Sequence, residues 1–199
     1  MSEITFDSSN WDQPHLVYIT GIDDFPAVAD GPQDYNITVT SIFSLDPNYG
    51  TIDPNAFDPI IFTNQDNDSP AVIVKVLNDD YTTSEDLDSI IIGFKLTSEP
   101  NSWVDIPLSI GSNSDEVDLG DNSVRIEKEN WDDFFLNQVT LSGIDDPIID
   151  GDQTFEFITG SPASLDLFYG VLDADDVADI NLVNQDNDFP FLNISEPEI

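Results

Sequence analysis

The chain predicts an all-β fold, an antiparallel β-sandwich, on three observations. Short apolar runs with period-2 alternation follow one another closely along the sequence. Gly, Pro, Asn and Asp fall between them, where turns are needed. About seven such runs fit into one internal repeat of about 120 residues, the strand density of a two-sheet sandwich.

The runs come in order. Ala71–Leu77 is apolar and β-branched, and Ser89–Thr97 is a second run of the same kind. Across Trp103–Ile110, Val104, Ile106, Leu108 and Ile110 alternate with Trp103, Asp105, Pro107 and Ser109. Ser123–Glu127 sets Val124 and Ile126 on one face, and Phe135–Ile144 alternates loosely through Val139 and Leu141. Thr154–Ile158 aligns Phe155 with Phe157, and Asp179–Val183 aligns Ile180 with Leu182. Leu172–Ala178 is the one helical hint, at most a turn or two.

The repeat is visible in the motifs. Asn-Gln-Asp-Asn-Asp-x-Pro occurs at Asn64–Pro70 and again at Asn184–Pro190, 120 residues later. Asn10-Trp11-Asp12 recurs as Asn130-Trp131-Asp132, and Asp30-Gly31-x-Gln33 as Asp150-Gly151-x-Gln153, at the same spacing. So does Ser44-Leu45-Asp46-x-x-Tyr49-Gly50, as Ser164-Leu165-Asp166-x-x-Tyr169-Gly170. A fixed period of this kind identifies a repeat array. Residues 69–188 form one complete unit, residues 1–68 match only its second half, and 189–199 resemble its opening strand. Each copy ends in a cluster of side-chain oxygens, which suits a hard cation at the seam.

Composition narrows the function. With 41 Asp plus Glu against four cations (Lys75, Lys95, Arg125 and Lys128), the formal charge is −37. Nucleic acid is excluded as a partner, because phosphate contacts need basic side chains. The hydrophobic fraction of 39%, with 13 Phe and 3 Trp, is enough for a core and argues against acidic disorder. Charge this negative opposes compaction, and bound cations would relieve it. Adaptation to high salt would explain the charge but not its clustering at repeat ends. There is no Cys, so a thiolate metal site is impossible. No apolar run approaches the ~20 residues of a membrane helix, and the first residues are no signal peptide.

The unit resembles the Calx-beta domain, in the form found in tandem in large bacterial surface and adhesion proteins. The resemblance rests on Thr82-Thr83-Ser84-Glu85-Asp86, Leu96-Thr97-Ser98-Glu99-Pro100 and Val104–Ser109. It continues through Asn130-Trp131, Val139–Asp146, Asp150–Thr154, Ser164–Gly170 and the terminal Asp186-Asn187-Asp188. It implies an immunoglobulin-like sandwich that binds calcium at one end, near the junction with the next domain. Three segments would meet there. The loop after the first strand brings Glu85 and Asp86. The loop between the fifth and sixth strands brings Asp145, Asp146, Asp150 and Asp152. The end of the last strand brings Asp186, Asn187 and Asp188. The incomplete copy offers Asp23, Asp24, Asp30, Asp66 and Asp68 as weaker candidates, and lacks any counterpart of Glu85. Only the second copy is therefore expected to bind calcium as the family does. The chain departs from the family in having no Gly after Glu85, Gln153 where metazoan members carry an acid, and Asp-Asn-Asp where others carry three Asp. Each change lowers site charge and implies fewer or weaker ions.

Other residues have simpler readings. Asx turns account for isolated Asp-Asp and Asn-Asp pairs. Asp173, Asp175 and Asp176 read as capping residues. Asp166 with Tyr169 reads either as an Asx turn over a packed ring or as a contact across a seam. Trp11 and Trp131 read as core or edge anchors, and His15 as a surface residue.

Paired carboxylates could hydrolyse glycosides, but here they recur in turn motifs at each unit boundary, and the chain is not expected to be an enzyme. The expected function is that of a calcium-rigidified spacer repeat of an extracellular, adhesin-like protein, with adjacent repeats as partners. The alternatives are a module that binds a glycan or cell-surface protein, and a cadherin-like calcium-dependent adhesion repeat. An exposed aromatic-lined pocket would favour the ligand-binding module.

Overall fold

The computed structural model describes residues 3–86 and 88–190. Of the expected opening strand at 189–199, only Phe189 and Pro190 are among them. Packing divides the chain into two compact units, one of residues 1–23 and 32–65, the other of residues 24–31 with the chain from Asp66 onward. Packing boundaries and repeat boundaries thus differ by two short segments, 24–31 and 66–68.

The larger unit is all-β. Its strands are β3 (Val72–Val76), β4 (Thr82–Ser84), β5 (Ser89–Leu96), β6 (Val104–Ile110) and β7 (Val117–Leu119). They continue as β8 (Ser123–Ile126), β9 (Gln138–Gly143), β10 (Gln153–Thr159), β11 (Ala163–Ser164) and β12 (Ile180–Gln185). One sheet runs β3-β5-β9-β7, and the other runs β11-β6-β10-β12-β4 with β8 beside β6. All pairings in the two sheets are antiparallel except β12 with β4, which is parallel.

The two sheets share one core, which makes the unit a β-sandwich. Ile90, Ile92, Phe94 and Leu96 of β5 face Val104 and Ile106 of β6, Phe155 and Phe157 of β10 and Leu182 of β12. The Phe94 and Phe157 rings lie 6.3 Å apart. The alternation of β6 buries Val104, Ile106 and Leu108 and turns Pro107 and Ser109 outward. Burying one such apolar side chain contributes about 1.5–3 kcal/mol. The helical hint is a single 3-10 turn, Ala174–Asp176, with a capping box made by Asp173 and Asp176.

Tyr169 fixes the end of the sandwich away from β12's C-terminus. Its hydroxyl donates to Ser98 O at 2.8 Å and accepts from Ser98 N at 3.1 Å. Asp166 closes an Asx turn over it, its Oδ1 accepting from Phe168 N and Tyr169 N. This is the turn-and-packed-ring reading of Asp166 and Tyr169.

The smaller unit holds β1 (Gln33–Ile37) and β2 (Ile60–Asn64). Gln33 pairs with Asn64, as Gln153 pairs with Asn184 in β10–β12, so the repeat preserves strand register to the residue. The side chains fare differently. Phe155, Phe157 and Leu182 are buried, whereas Tyr35 and Ile37 are exposed. Trp11, expected to anchor a core or edge, is also exposed. Its counterpart Trp131 packs partly against the core, and its carbonyl accepts from Leu96 N of β5. The smaller unit has no strand corresponding to β5 among the described residues, so Trp11 lacks the strand that Trp131 bonds to. His15 is exposed, with Phe6 edge-on at 4.6 Å.

Tyr169 is 1% exposed and its counterpart Tyr49 58%. Tyr169→Phe strips a buried partner from Ser98 and is expected to lower stability by about 1–3 kcal/mol in urea unfolding. Tyr49→Phe is expected to stay within about 0.5 kcal/mol of the parent. Equal effects would contradict the difference in packing.

Candidate metal centre

The parallel β4–β12 pair creates the site. Its register sets Thr82 against Val183, Thr83 against Asn184 and Ser84 against Gln185. One residue further on, Glu85 N donates to Gln185 O at 3.1 Å, which brings Glu85 beside Asp186. The two residues come from opposite ends of the unit.

Asn184 ties the neighbouring segments into this corner. It is buried, accepts from Thr83 Oγ1 at 2.9 Å, and its amide nitrogen lies 3.3 Å from Glu116 Oε2 and 3.4 Å from Ile144 O. Gly143, the last residue of β9, is packed so closely that a Cβ there would overlap Ser84 O and meet Asn184 Oδ1. The absence of a side chain lets β9 deliver the 144–152 loop against the end of β4. The arrangement recurs in the smaller unit, where Asn64 Nδ2 donates to Ile22 O and a Cβ on Gly21 would overlap Asn64 Oδ1.

Glu85, Asp186 and Asp188 each offer a carboxylate oxygen, and the three oxygens lie within 4.8 Å of one another. That is the span two ligands can have across one ion at ~2.4 Å each. Glu85 is 3% exposed, and its Oε2 accepts from Asn187 N at 3.0 Å. Asp186 Oδ2 accepts from Gly151 N and its Oδ1 from Asp188 N, both at 2.7 Å. Asp188 Oδ2 is buried with no hydrogen-bond partner. A buried polar atom left this way costs about 1–3 kcal/mol, more when charged.

The other sequence candidates fall around this triad. Asp86 Oδ1 accepts from Asn187 Nδ2 at 3.1 Å. Asp152 Oδ1 accepts from Asp186 N at 3.3 Å. Asp146 Oδ1 accepts from Ile148 N at 2.7 Å, an Asx turn that orients the loop. Asp145, Asp146 and Asp150 are close enough to raise the Asp188 pKa by their charge. Asp23, Asp24 and Asp30 are exposed, and Asp66 and Asp68 carry the first copy's version of the terminal motif.

That first version is satisfied internally. Asp66 Oδ2 accepts from Gly31 N at 2.6 Å and Asp30 N at 3.0 Å, and its Oδ1 from Asp68 N at 2.8 Å. Asp68 Oδ2 accepts from Val28 N at 3.1 Å. In the second copy the corresponding amide, Ile148 N, is taken by Asp146, and Asp188 Oδ2 is left over. Two identical motifs thus sit in different hydrogen-bond surroundings.

Electrostatics follow the same division. For Asp66, the amides of Asp68, Gly31 and Asp30 outweigh burial and hold its carboxyl below the usual range. For Asp188, burial together with Asp186, Asp145, Asp146 and Asp150 pushes the carboxyl up. For Glu85, the Asn187 amide pulls down, but burial and the charges of Asp186, Asp146 and Asp188 prevail, and its pKa is raised.

No protein-family model matches the chain, and no curated protein matches its sequence.

The donor set is all oxygen, which suits calcium, magnesium or manganese rather than zinc or copper. The chain has no Cys, and its single histidine, His15, lies in the smaller unit. Two residues that build the corner escaped the sequence reading. Asn184 was in plain sight as half of a repeated Asn, but its buried bracing role has no pattern of its own. Glu116, also buried, lies in the half of the unit that occurs once, so the repeat could not mark it.

Glu85 and Asp188 hold their protons more tightly folded than unfolded. Without metal, stability therefore falls as pH rises from the ordinary carboxylate range through their raised values, and is regained on acidification. Asp66 acts in the opposite sense, below the ordinary range. In EDTA, Tm is expected to rise as pH is lowered from neutrality toward the ordinary carboxylate range, and Asp188→Asn to flatten that rise. A Tm that falls over this interval, or an unchanged slope in the variant, would contradict the crowding. Gly143→Ala is expected to destabilise by about 1–3 kcal/mol through overlap with Ser84, read in urea unfolding. A neutral outcome would contradict the close approach of β9 to β4.

Proposed function

We propose that the unit is a calcium-binding spacer repeat of an extracellular, adhesin-like array, in which the ion joins the end of the last strand to the loop after the first. The observation that carries this reading is the unpartnered Asp188 Oδ2, buried beside Glu85 and Asp186. A carboxylate oxygen with no donor, next to two further carboxylates, lacks the counter-charge that a divalent cation supplies.

Calcium fits better than magnesium. It accepts six to eight oxygens in loose geometry, whereas magnesium demands a tight octahedron and keeps most of its water. Here carboxylates arrive from separate segments, with Asp145, Asp146 and Asp150 close by. Three carboxylates held by loops correspond to the affinity of extracellular modules, on the order of 10⁻⁴–10⁻³ M. The resemblance to Calx-beta repeats supports the same reading. The satisfied Asp66 and Asp68 support the expectation that the first copy binds no ion in the family manner.

The mechanism is mechanical. Without the ion, mutual repulsion among the carboxylates opposes the contact of Asp186–Asp188 with Glu85 and the 145–152 loop, and the β4–β12 pairing holds it against that repulsion. With it, the three segments are cross-linked and the chain leaves the unit in a defined direction.

Thermal unfolding in EDTA and in calcium tests the proposal. At ~100 times Kd, a ligand adds ~2.7 kcal/mol, a Tm rise of about 5–10 °C for a domain of this size. Asp188→Asn is expected to abolish the rise while leaving the metal-free protein at least as stable as the parent. No rise beyond that given by sodium chloride of equal ionic strength would overturn the proposal.

A further inference from the structure

We propose that the exposed loop Pro147–Asp150 is a docking surface for a further copy of the same unit, placed in tandem after Pro190. It seats against that copy's counterparts of the Ser98–Glu99 edge and the Phe168 ring. The inference rests on the repeat reading and not on calcium.

The chain contains its own template. Residues 27–31 precede the first terminal motif as 147–151 precede the second, counted back from the Asp-Gly pair (the loop from Gly21 is two residues longer than that from Gly143). In the first copy, this stretch lies on the receiving end of the complete unit. Ala27 O accepts from Glu99 N at 2.7 Å. Ala29 is 5% exposed. At Gly31, a Cβ would lie 3.5 Å from Phe168 Cζ.

The second copy has the same local geometry without the cover. Asp186 clamps Gly151 N and Asp188 N as Asp66 clamps Gly31 N and Asp68 N. Gly31 and Gly151 share φ values of 77° and 78°. The Asp-Gly turn and the outgoing segment are therefore clamped by the same pair of bonds in both, although the Val28 N–Asp68 bond of the first copy has no equivalent at Ile148 N. Yet Ile149, the counterpart of buried Ala29, is 55% exposed, and Ile148 beside it is exposed as well. A Cβ on Gly151 would meet nothing within 4 Å. The two adjacent exposed isoleucines are the apolar surface this loop offers to a partner.

The acid of the receiving edge is already paired. Lys128, one of the chain's four cations, lies 2.8 Å from Glu99 Oε1 there. The arriving loop carries Asp145, Asp146 and Asp150.

The chain has no cysteine, so an introduced thiol is unique. Ala29→Cys and Ile149→Cys would be labelled with a thiol reagent in the 199-residue chain and in a chain extended after Pro190 by a second copy of residues 71–190, in EDTA and in calcium. Cys at 29 is expected to react slowly in both. Cys at 149 is expected to react quickly in the present chain and at least about tenfold more slowly in the extended one, as protection requires. An unchanged rate at 149 would overturn the proposal. Hydrogen exchange on the extended chain without cysteine substitutions gives the same answer. A single protected population of the two Glu99 amides supports docking, and one protected with one fast population overturns it. Docking that persists in EDTA separates this inference from the calcium reading, which fails only if calcium leaves Tm unchanged.

Discussion

Like charges forced together at one corner of the sandwich are the constraint on which the rest of the larger unit turns. Glu85, Asp186 and Asp188 are held within reach of a single ion, and one of their oxygens is buried with no donor. In low-dielectric surroundings such repulsion is far stronger than in water. The chain could avoid it by letting any one of the three segments swing away. The backbone prevents that, because β4 lies in parallel register with β12 and Glu85 N is bonded to Gln185 O. The hydrogen-bonded sheet therefore enforces an electrostatic conflict that only protons or a cation can resolve.

The neutral groups around the corner are as important as the charged ones. Asn184 accepts from Thr83 on one side and reaches Glu116 and Ile144 on the other. Gly143 removes the side chain that would keep β9 from Ser84. In the smaller unit, Asn64 and Gly21 make the same contact, but none of its described residues is a counterpart of Glu85. The repeat thus copies the scaffold of the corner more widely than it copies the conflict. Asp68, with Val28 N as its donor, is a carboxylate at rest, whereas Asp188 is not.

Much of this was legible in the sequence, and the failures have physical causes. The 120-residue period carried strand register from one copy to the other without error, because Gln33–Asn64 and Gln153–Asn184 occupy the same ladder position. Alternation located β6 and β10, where one face is core. It was silent on β4, a three-residue Thr-Thr-Ser strand with no apolar face to alternate, and β4 is what brings Glu85 to Asp186. Burial was legible only where a complete sandwich exists. Trp11 and Trp131 share a motif, but only Trp131 has β5 to pack beside. Burial depends on what lies opposite, and a local motif does not encode that.

The most direct test of the carboxylate corner is diffraction from crystals of the chain grown in calcium and then exchanged into a lanthanide, which gives a strong anomalous signal. The expected result is a peak within ~2.3–2.6 Å of one oxygen each from Glu85, Asp186 and Asp188, including the otherwise unpartnered Asp188 Oδ2. The contradicting result is no peak at that position, with Asp188 Oδ2 instead accepting a hydrogen bond from the protein or from water.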